Sequence, residues 1–167
     1  MKLRIICVLL IVTCVFCGCK SNSKPVKLQL KSISFVADIK YNEISYSCDC
    51  TIHSNKNLSI VFKSPDNLKG LTVACNSGLC SISYNGLSID SADNVLPENF
   101  FVSNFNDVLK MCDGSELIEQ KHSLYVNGKL NGKEFKLTAS PTGLPILLTI
   151  PDLCMRIDFN NVKVKNK

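Results

Sequence analysis

Apolar and polar residues alternate with a period of two through most of the chain, and this pattern limits the fold more than any other sequence feature. In residues 33–41 the two sets occupy opposite faces of an extended chain: Ile33, Phe35, Ala37, Ile39 and Tyr41 against Ser34, Asp38 and Lys40. The alternation recurs between residues 44 and 89 and again between 122 and 159. Strands with one apolar and one wetted face form antiparallel sheets, so we expect about nine antiparallel strands.

One segment has helical periodicity instead. Its apolar residues are spaced as one face of a helix requires: Phe101, Phe105, Val108, Leu109 and Cys112. Pro97 suits the start of such a helix and Gly114 its end. The pattern predicts a helix over about 98–113, with a second turn over 115–119 as an option.

These elements predict a mainly β fold with one or two helices. A sheet of this size must cover its apolar face. We therefore expect a curved antiparallel sheet, a half-barrel, with the helix as its plug or lid. The 167 residues suit a single domain, which we place at residues 32–162, with a basic tail at 163–167.

The N-terminus has the features of an export signal. Lys2 and Arg4 precede an apolar stretch at 5–16, which is too short to span a bilayer. The following Phe16-Cys17-Gly18-Cys19 resembles a bacterial lipobox. That resemblance implies cleavage between Gly18 and Cys19, lipidation of Cys19 and a polar tether over 19–31. The protein is then expected at the extracytoplasmic face of the cell membrane; an uncleaved signal anchor or a secreted protein is the alternative.

Six cysteines lie beyond the predicted signal and lipidation site: Cys48, Cys50, Cys75, Cys80, Cys112 and Cys154. Cys75 and Cys80 flank a short hairpin loop, so we expect them opposite each other and able to form a disulfide. For all six, Cys75 and Cys80 included, disulfides and free thiols both stay open. The spacing of Cys48 and Cys50 does not suit zinc, and His53 and His122 alternate with apolar neighbours as surface residues do, so no metal site is predicted.

The sequence does not resemble an enzyme or a nucleic-acid-binding protein. It contains no nucleophile elbow, phosphate-binding glycine loop, metalloprotease motif or dinucleotide fingerprint. Without Lys2 and Arg4, which lie in the predicted signal, the net charge falls from +5 to +3, which is too small for a nucleic-acid footprint. We expect no catalysis, no cofactor and no nucleic-acid partner.

Several short segments resemble the LolA/LolB-like lipoprotein-carrier superfamily, in particular its small clostridial lipoproteins. They lie at residues 64–71, 84–87, 142–145 and 157–161. The resemblance implies an incomplete β-barrel whose concave face, closed by helices, holds acyl chains of a lipid or lipoprotein. Arg156 is the only arginine after the signal, so no residue matches the inward arginine of the carriers. A fixed lipid-binding or interaction role then fits better than shuttling.

The ligand is expected to contact apolar residues on the sheet and the helix. The predicted contacts are Phe35, Ile39, Tyr46, Ile60, Phe62, Phe100 and Phe105. The alternative is a surface lipoprotein without a cavity that acts as a protein-interaction module. A cavity smaller than a few hundred Å3 would favour that alternative.

Overall fold

The computed structural model describes residues 25–76, 79–92 and 100–165. Eleven strands and one α-helix follow one another along these residues: β1 (Ile33–Tyr41), β2 (Ile44–Ile52), β3 (Leu58–Ser64), β4 (Thr72–Asn76), β5 (Leu79–Tyr84), β6 (Leu87–Ala92), α1 (Phe101–Cys112), β7 (Ile118–Gln120), β8 (Ser123–Leu130), β9 (Lys133–Ala139), β10 (Pro145–Ile150) and β11 (Met155–Val164). Short 3-10 turns lie at Asp66–Leu68 and Pro151–Leu153.

All eleven strands belong to one antiparallel sheet, in the order β6-β5-β4-β3-β2-β1-β11-β10-β9-β8-β7. The first and last strands of the domain, β1 and β11, pair at its centre. The sheet does not close, and β6 and β7 form its two edges. A single curved, unclosed antiparallel sheet with one helix confirms the predicted fold class.

The helix lies across the apolar face of the central strands. Phe105 makes edge contacts with Phe35 of β1 and Phe159 of β11, at ring-centroid distances of 6.4 and 5.8 Å. One turn earlier, Phe101 packs against Phe62 of β3 at 6.0 Å. Such aromatic contacts add to the apolar area that the helix removes from water. Pro97 and residue 98, where we placed the helix start, lie outside the described residues.

The second helical turn predicted over 115–119 is wrong. The helix ends because Asp113 has extended dihedrals and Gly114 has a left-handed φ of 76°. The chain then forms β7, in which Ile118 pairs with Tyr125 of β8. Lys121 and His122, both with positive φ, make the tight turn between these two strands.

The domain begins earlier than residue 32, where we placed its boundary. Leu28 and Leu30 are buried in the core, and the backbone of this segment is tied to distant loops. The Leu28 N–H donates to the Ser115 carbonyl at 2.9 Å, and the Gln29 N–H donates to the Gly143 carbonyl at 2.8 Å. The C-terminal end of the predicted tether over 19–31 is therefore part of the folded domain.

The C-terminal boundary also differs from the prediction. Strand β11 continues through Val164, and the Lys165 N–H donates to the Ser32 carbonyl at 2.6 Å. Residues 163–165 thus belong to the sheet or its end, where we expected a basic tail over 163–167. Residues 166 and 167 lie outside the described part of the chain.

Candidate apolar binding site

The seven predicted ligand contacts converge, but most of them are core residues. Phe35, Ile39, Ile60, Phe62 and Phe105 are buried. Tyr46 and Phe100 are partly buried at the N-terminal end of the helix. Their rings lie 5.0 and 4.9 Å from the ring of Phe101.

Among the described residues, the pocket that the helix lines is too small for an acyl chain. A pocket near the C-terminal half of α1 has a volume of about 10 Å3 and apolar walls that include Leu30, Ile52 and Leu109. This volume is close to that of one water molecule and far below that of a small-molecule site. The side chain of Asn106 also lines the pocket, and its Oδ1 accepts no hydrogen bond from the residues that the structure describes. The predicted contacts therefore fill a core.

The apolar face of the sheet extends beyond the helix, toward β6. Ile60, Val73, Ile82 and Ile89 form one row across β3, β4, β5 and β6, each paired in register with the next. Ile60 and Val73 are buried, Ile82 is partly buried, and Ile89 is 59% exposed. Burial therefore decreases along the row as the distance from the helix increases.

A second pair of apolar residues lies on the same face. Tyr84 and Leu87 are directly opposite each other on β5 and β6, and both are exposed. Because side chains alternate along a strand, they share a face with Ile82 and Ile89. We call these four residues, Ile82, Tyr84, Leu87 and Ile89, the concave strip.

The dimensions of the helix and the sheet explain why the strip is uncovered. A sheet of eleven strands spans roughly 48 Å between its outer strands at about 4.8 Å per step. The twelve residues of α1 form a helix about 18 Å long and about 10 Å wide. One such helix covers a few strands. The N-terminal segment with Leu28 and Leu30 adds cover near Ser115 and Gly143, on the side away from β6.

None of the four residues of the concave strip was among the contacts predicted from the sequence. The alternation in residues 79–89 does place them on one face, so a signal for their orientation was available. What the sequence did not show is that β6 is an edge strand and that the helix lies over β1, β2, β3 and β11. Both are properties of the tertiary arrangement.

Four of the six cysteines among the described residues have buried side chains. Cys75 and Cys80 occupy paired positions on β4 and β5 and are joined by a disulfide. Cys48, Cys50 and Cys112 are buried free thiols, and Cys154 is an exposed one. Burial raises the pKa of the Cys48 thiol to about 12 and that of the Cys112 thiol to about 11. Buried neutral thiols of this kind behave as small apolar groups.

Other site types are not apparent in the described residues. Within 25–76, 79–92 and 100–165, no group of three or more His, Cys, Asp or Glu side chains is placed to hold a metal ion. His53 and His122 are exposed. No helix among these residues is long and apolar enough to cross a membrane. The predicted cleavage and lipidation site at Gly18 and Cys19 lies outside them.

Comparisons with known proteins bear on the fold. No protein-family model matches the chain, and no curated protein matches its sequence. An uncharacterized conserved protein from Thermus thermophilus is similar in structure, with a TM-score of 0.50 and 11% identity over 81% of each chain. A LolA superfamily protein from Nitrosomonas europaea gives a TM-score of 0.45 at 7% identity, over 85% of this chain and 90% of that one. At such identities a likeness concerns the fold alone.

Proposed function

We propose that this protein is a non-catalytic lipoprotein, anchored through Cys19 at the extracytoplasmic face of the membrane, that binds an acyl chain on the concave strip. The observation that carries the proposal is the loss of burial along the row from Ile60 to Ile89. The exposed end of this row continues the core without a break. An apolar ligand there would extend the buried face toward the sheet edge.

The chemistry of the concave strip favours an acyl chain. The strip offers three aliphatic side chains and the ring of Tyr84. A peptide laid on this face would bring backbone N–H and C=O groups that need partners. An acyl chain brings none, and each methylene that it buries contributes about 0.8 kcal/mol. The strip therefore suits an apolar chain whose polar end stays in water.

Anchoring would place this strip near a supply of acyl chains. The lipobox-like sequence ends at Cys19, and the first described residue that is buried in the core, Leu28, follows nine residues later. A short connection of this kind would keep the domain close to the bilayer surface. A diacyl anchor holds a protein stably, whereas a single acyl chain does so only weakly.

Native mass spectrometry of the full chain tests the ligand. The chain would be expressed with its own export signal, purified from membranes and released from detergent in the gas phase. We expect an adduct of lipid mass on the wild type and its loss from the Tyr84→Ser/Leu87→Ser double variant. Ile118→Ser removes an exposed apolar side chain from β7 and should keep the adduct. Absence of an adduct from the wild type, or its retention in the double variant, would refute the acyl-chain site.

The small pocket beneath the helix supports a second candidate, a protein-interaction module without an acyl-chain cavity under α1. Its volume of about 10 Å3 is well under the few hundred Å3 of a ligand site. In that case the wild-type chain would carry no lipid, and chemical crosslinking in membranes would join it to a protein through its exposed strands. The same preparation thus distinguishes the two functions.

A further inference from the structure

Strand β6 ends the sheet on one side and has no neighbour beyond it among the described residues. It pairs only with β5, from Tyr84↔Leu87 to Leu79↔Ala92, without a bulge. The side chains of residues 87–90 are all exposed. A strand in this position presents a row of free backbone N–H and C=O groups to any other strand.

The turn before β6 fixes which residues face outward. Asn85 and Gly86 have φ of 49° and 82°, which is typical of a two-residue type I′ turn. The pair that closes such a turn, Tyr84 and Leu87, is hydrogen-bonded, and the pattern then alternates along the strand. Leu87 and Ile89 therefore bond to β5. Ser88 and Asp90 direct their backbone groups away from the sheet.

This edge lacks the features that usually prevent strand pairing. Between Leu79 and Ala92 the only charged residue is Asp90, and there is no proline or lysine. The opposite edge differs: β7 has only three residues, contains Glu119 and is followed by Lys121. Natural proteins protect edges with short strands, charges, prolines and bulges. Here β7 is protected and β6 is not.

We propose that β6 pairs with β6 of a second copy of this chain, antiparallel and around a two-fold axis at Ile89. In this register Ser88 of each copy lies opposite Asp90 of the other, and the hydroxyl and the carboxylate are compatible neighbours. A register centred on Asp90 would oppose two carboxylates, which destabilises a cross-strand pair. A register centred on Ser88 would leave a shorter ladder. The alternation of free and β5-bonded backbone groups along β6 is compatible with the Ile89 register. The position of the one charged side chain, Asp90, favours this register.

The two-fold pairing has a geometric consequence at Ile89. Its backbone bonds to β5, so Ile89 and its symmetry mate form a non-hydrogen-bonded pair, with Cα atoms about 4.5 Å apart. Cys75 and Cys80 hold the equivalent kind of pair between β4 and β5, at a Cα distance of 4.2 Å, and are bonded to each other. Cysteines introduced at position 89 should therefore bond across the dimer. The concave strips of the two copies would form one continuous apolar surface.

Disulfide crosslinking of the full chain in membranes tests this pairing. In a Cys154→Ser background, which removes the exposed native thiol, Ile89→Cys should give a covalent dimer on mild oxidation. Ile118→Cys, at an isoleucine of similar exposure on the other edge, is the matched control and should stay monomeric. A monomeric Ile89→Cys chain, or equal crosslinking of both variants, would overturn the proposal.

Charge substitutions at Ser88 test the register. Because Ser88 is exposed and opposes Asp90 of the second copy, Ser88→Asp should reduce crosslinking through Ile89→Cys several-fold. Ser88→Lys, which opposes a cation to the carboxylate, should retain or increase it. Equal crosslinking of the Asp and Lys variants would exclude this register. None of the Ser88 substitutions changes the concave strip, so failure of the dimer leaves the lipid adduct of the proposed function to be judged separately.

Discussion

Ile60 of β3 and Ile89 of β6 lie in the same cross-strand row of the sheet, yet Ile60 is fully buried and Ile89 is 59% exposed. The two isoleucines differ in their distance from α1, the one α-helix that the described residues form. Residues near the helix therefore stabilise the fold, whereas residues at the far end of the row are exposed and available to bind a ligand or another protein chain. Substitutions at the two ends of the row should separate these two roles.

Removing an aromatic ring beneath the helix should destabilise the domain. Phe105 is buried between Phe35 and Phe159, so Phe105→Ala should lower the free energy of unfolding by about 3–5 kcal/mol. Leu87→Ala, on the exposed strip, should change it by less than about 0.5 kcal/mol. Urea unfolding followed by circular dichroism measures both. Similar effects of the two substitutions would contradict the assignment of Phe105 to the core and Leu87 to the binding surface.

The buried amide of Asn106 should reduce stability. Its Oδ1 is buried without a hydrogen-bond partner among the described residues, beside the small pocket near Leu109. An unsatisfied buried polar group costs about 1–3 kcal/mol. Asn106→Leu, of similar size, should therefore raise the midpoint of urea unfolding. A lower midpoint would mean that this amide makes an interaction that stabilises the folded chain.

The buried thiols should make the fold less stable in alkali. Burial raises the pKa of Cys48 to about 12 and of Cys112 to about 11, from a usual value of 9.0. Above pH 9 the unfolded chain loses these protons while the folded chain retains them. The free energy of unfolding should therefore fall between pH 9 and pH 11, by up to about 1.4 kcal/mol per pH unit for each thiol.

A paired variant isolates this effect from other groups that titrate in alkali. The Cys48→Ala/Cys112→Ala chain should show a shallower loss of stability than the wild type over the same pH range, whatever its stability at pH 7. Urea titrations at several pH values give the two slopes. Equal slopes would show that these thiols do not distinguish the folded from the unfolded chain.

Membrane anchoring is expected to depend on a single side chain. Cys19→Ala removes the thiol that would carry the lipid, so the chain should no longer incorporate radiolabelled palmitate or be processed to the mature size. Cys17→Ala, two residues earlier, should leave both unchanged. Incorporation of label by the Cys19→Ala chain would rule out the lipobox assignment.

Much of the fold could be predicted from local patterns. Period-two alternation located the long strands, and the helical stripe from Phe101 to Cys112 located α1. The Asn-Gly pairs at 85–86 and 131–132 form the expected tight turns, with positive φ at all four residues. Strand β7 was missed because three residues are too few to show a period. What defines it in the structure is the left-handed turn at Lys121 and His122 that returns the chain into β8.

The candidate site was harder to predict, because it depends on which part of the apolar sheet face the helix covers. Phe62 and Leu87 both occupy apolar positions of strands, and only the location of the helix makes one a core residue and the other a surface residue. Leu28 and Leu30 illustrate the same difficulty. Their alternation with Lys27, Gln29 and Lys31 was visible, but the loops that they pack against are far away in sequence.

Photolabelling with a fatty acid that carries a diazirine on its chain would locate the acyl-chain site. The full chain in membranes would be irradiated, digested and analysed by mass spectrometry to identify the labelled residues. We expect label on the peptide that contains Tyr84, Leu87 and Ile89, and competition by unlabelled fatty acid. Label confined to the buried face around Phe35 and Phe105, or labelling that unlabelled fatty acid does not reduce, would contradict binding on the concave strip.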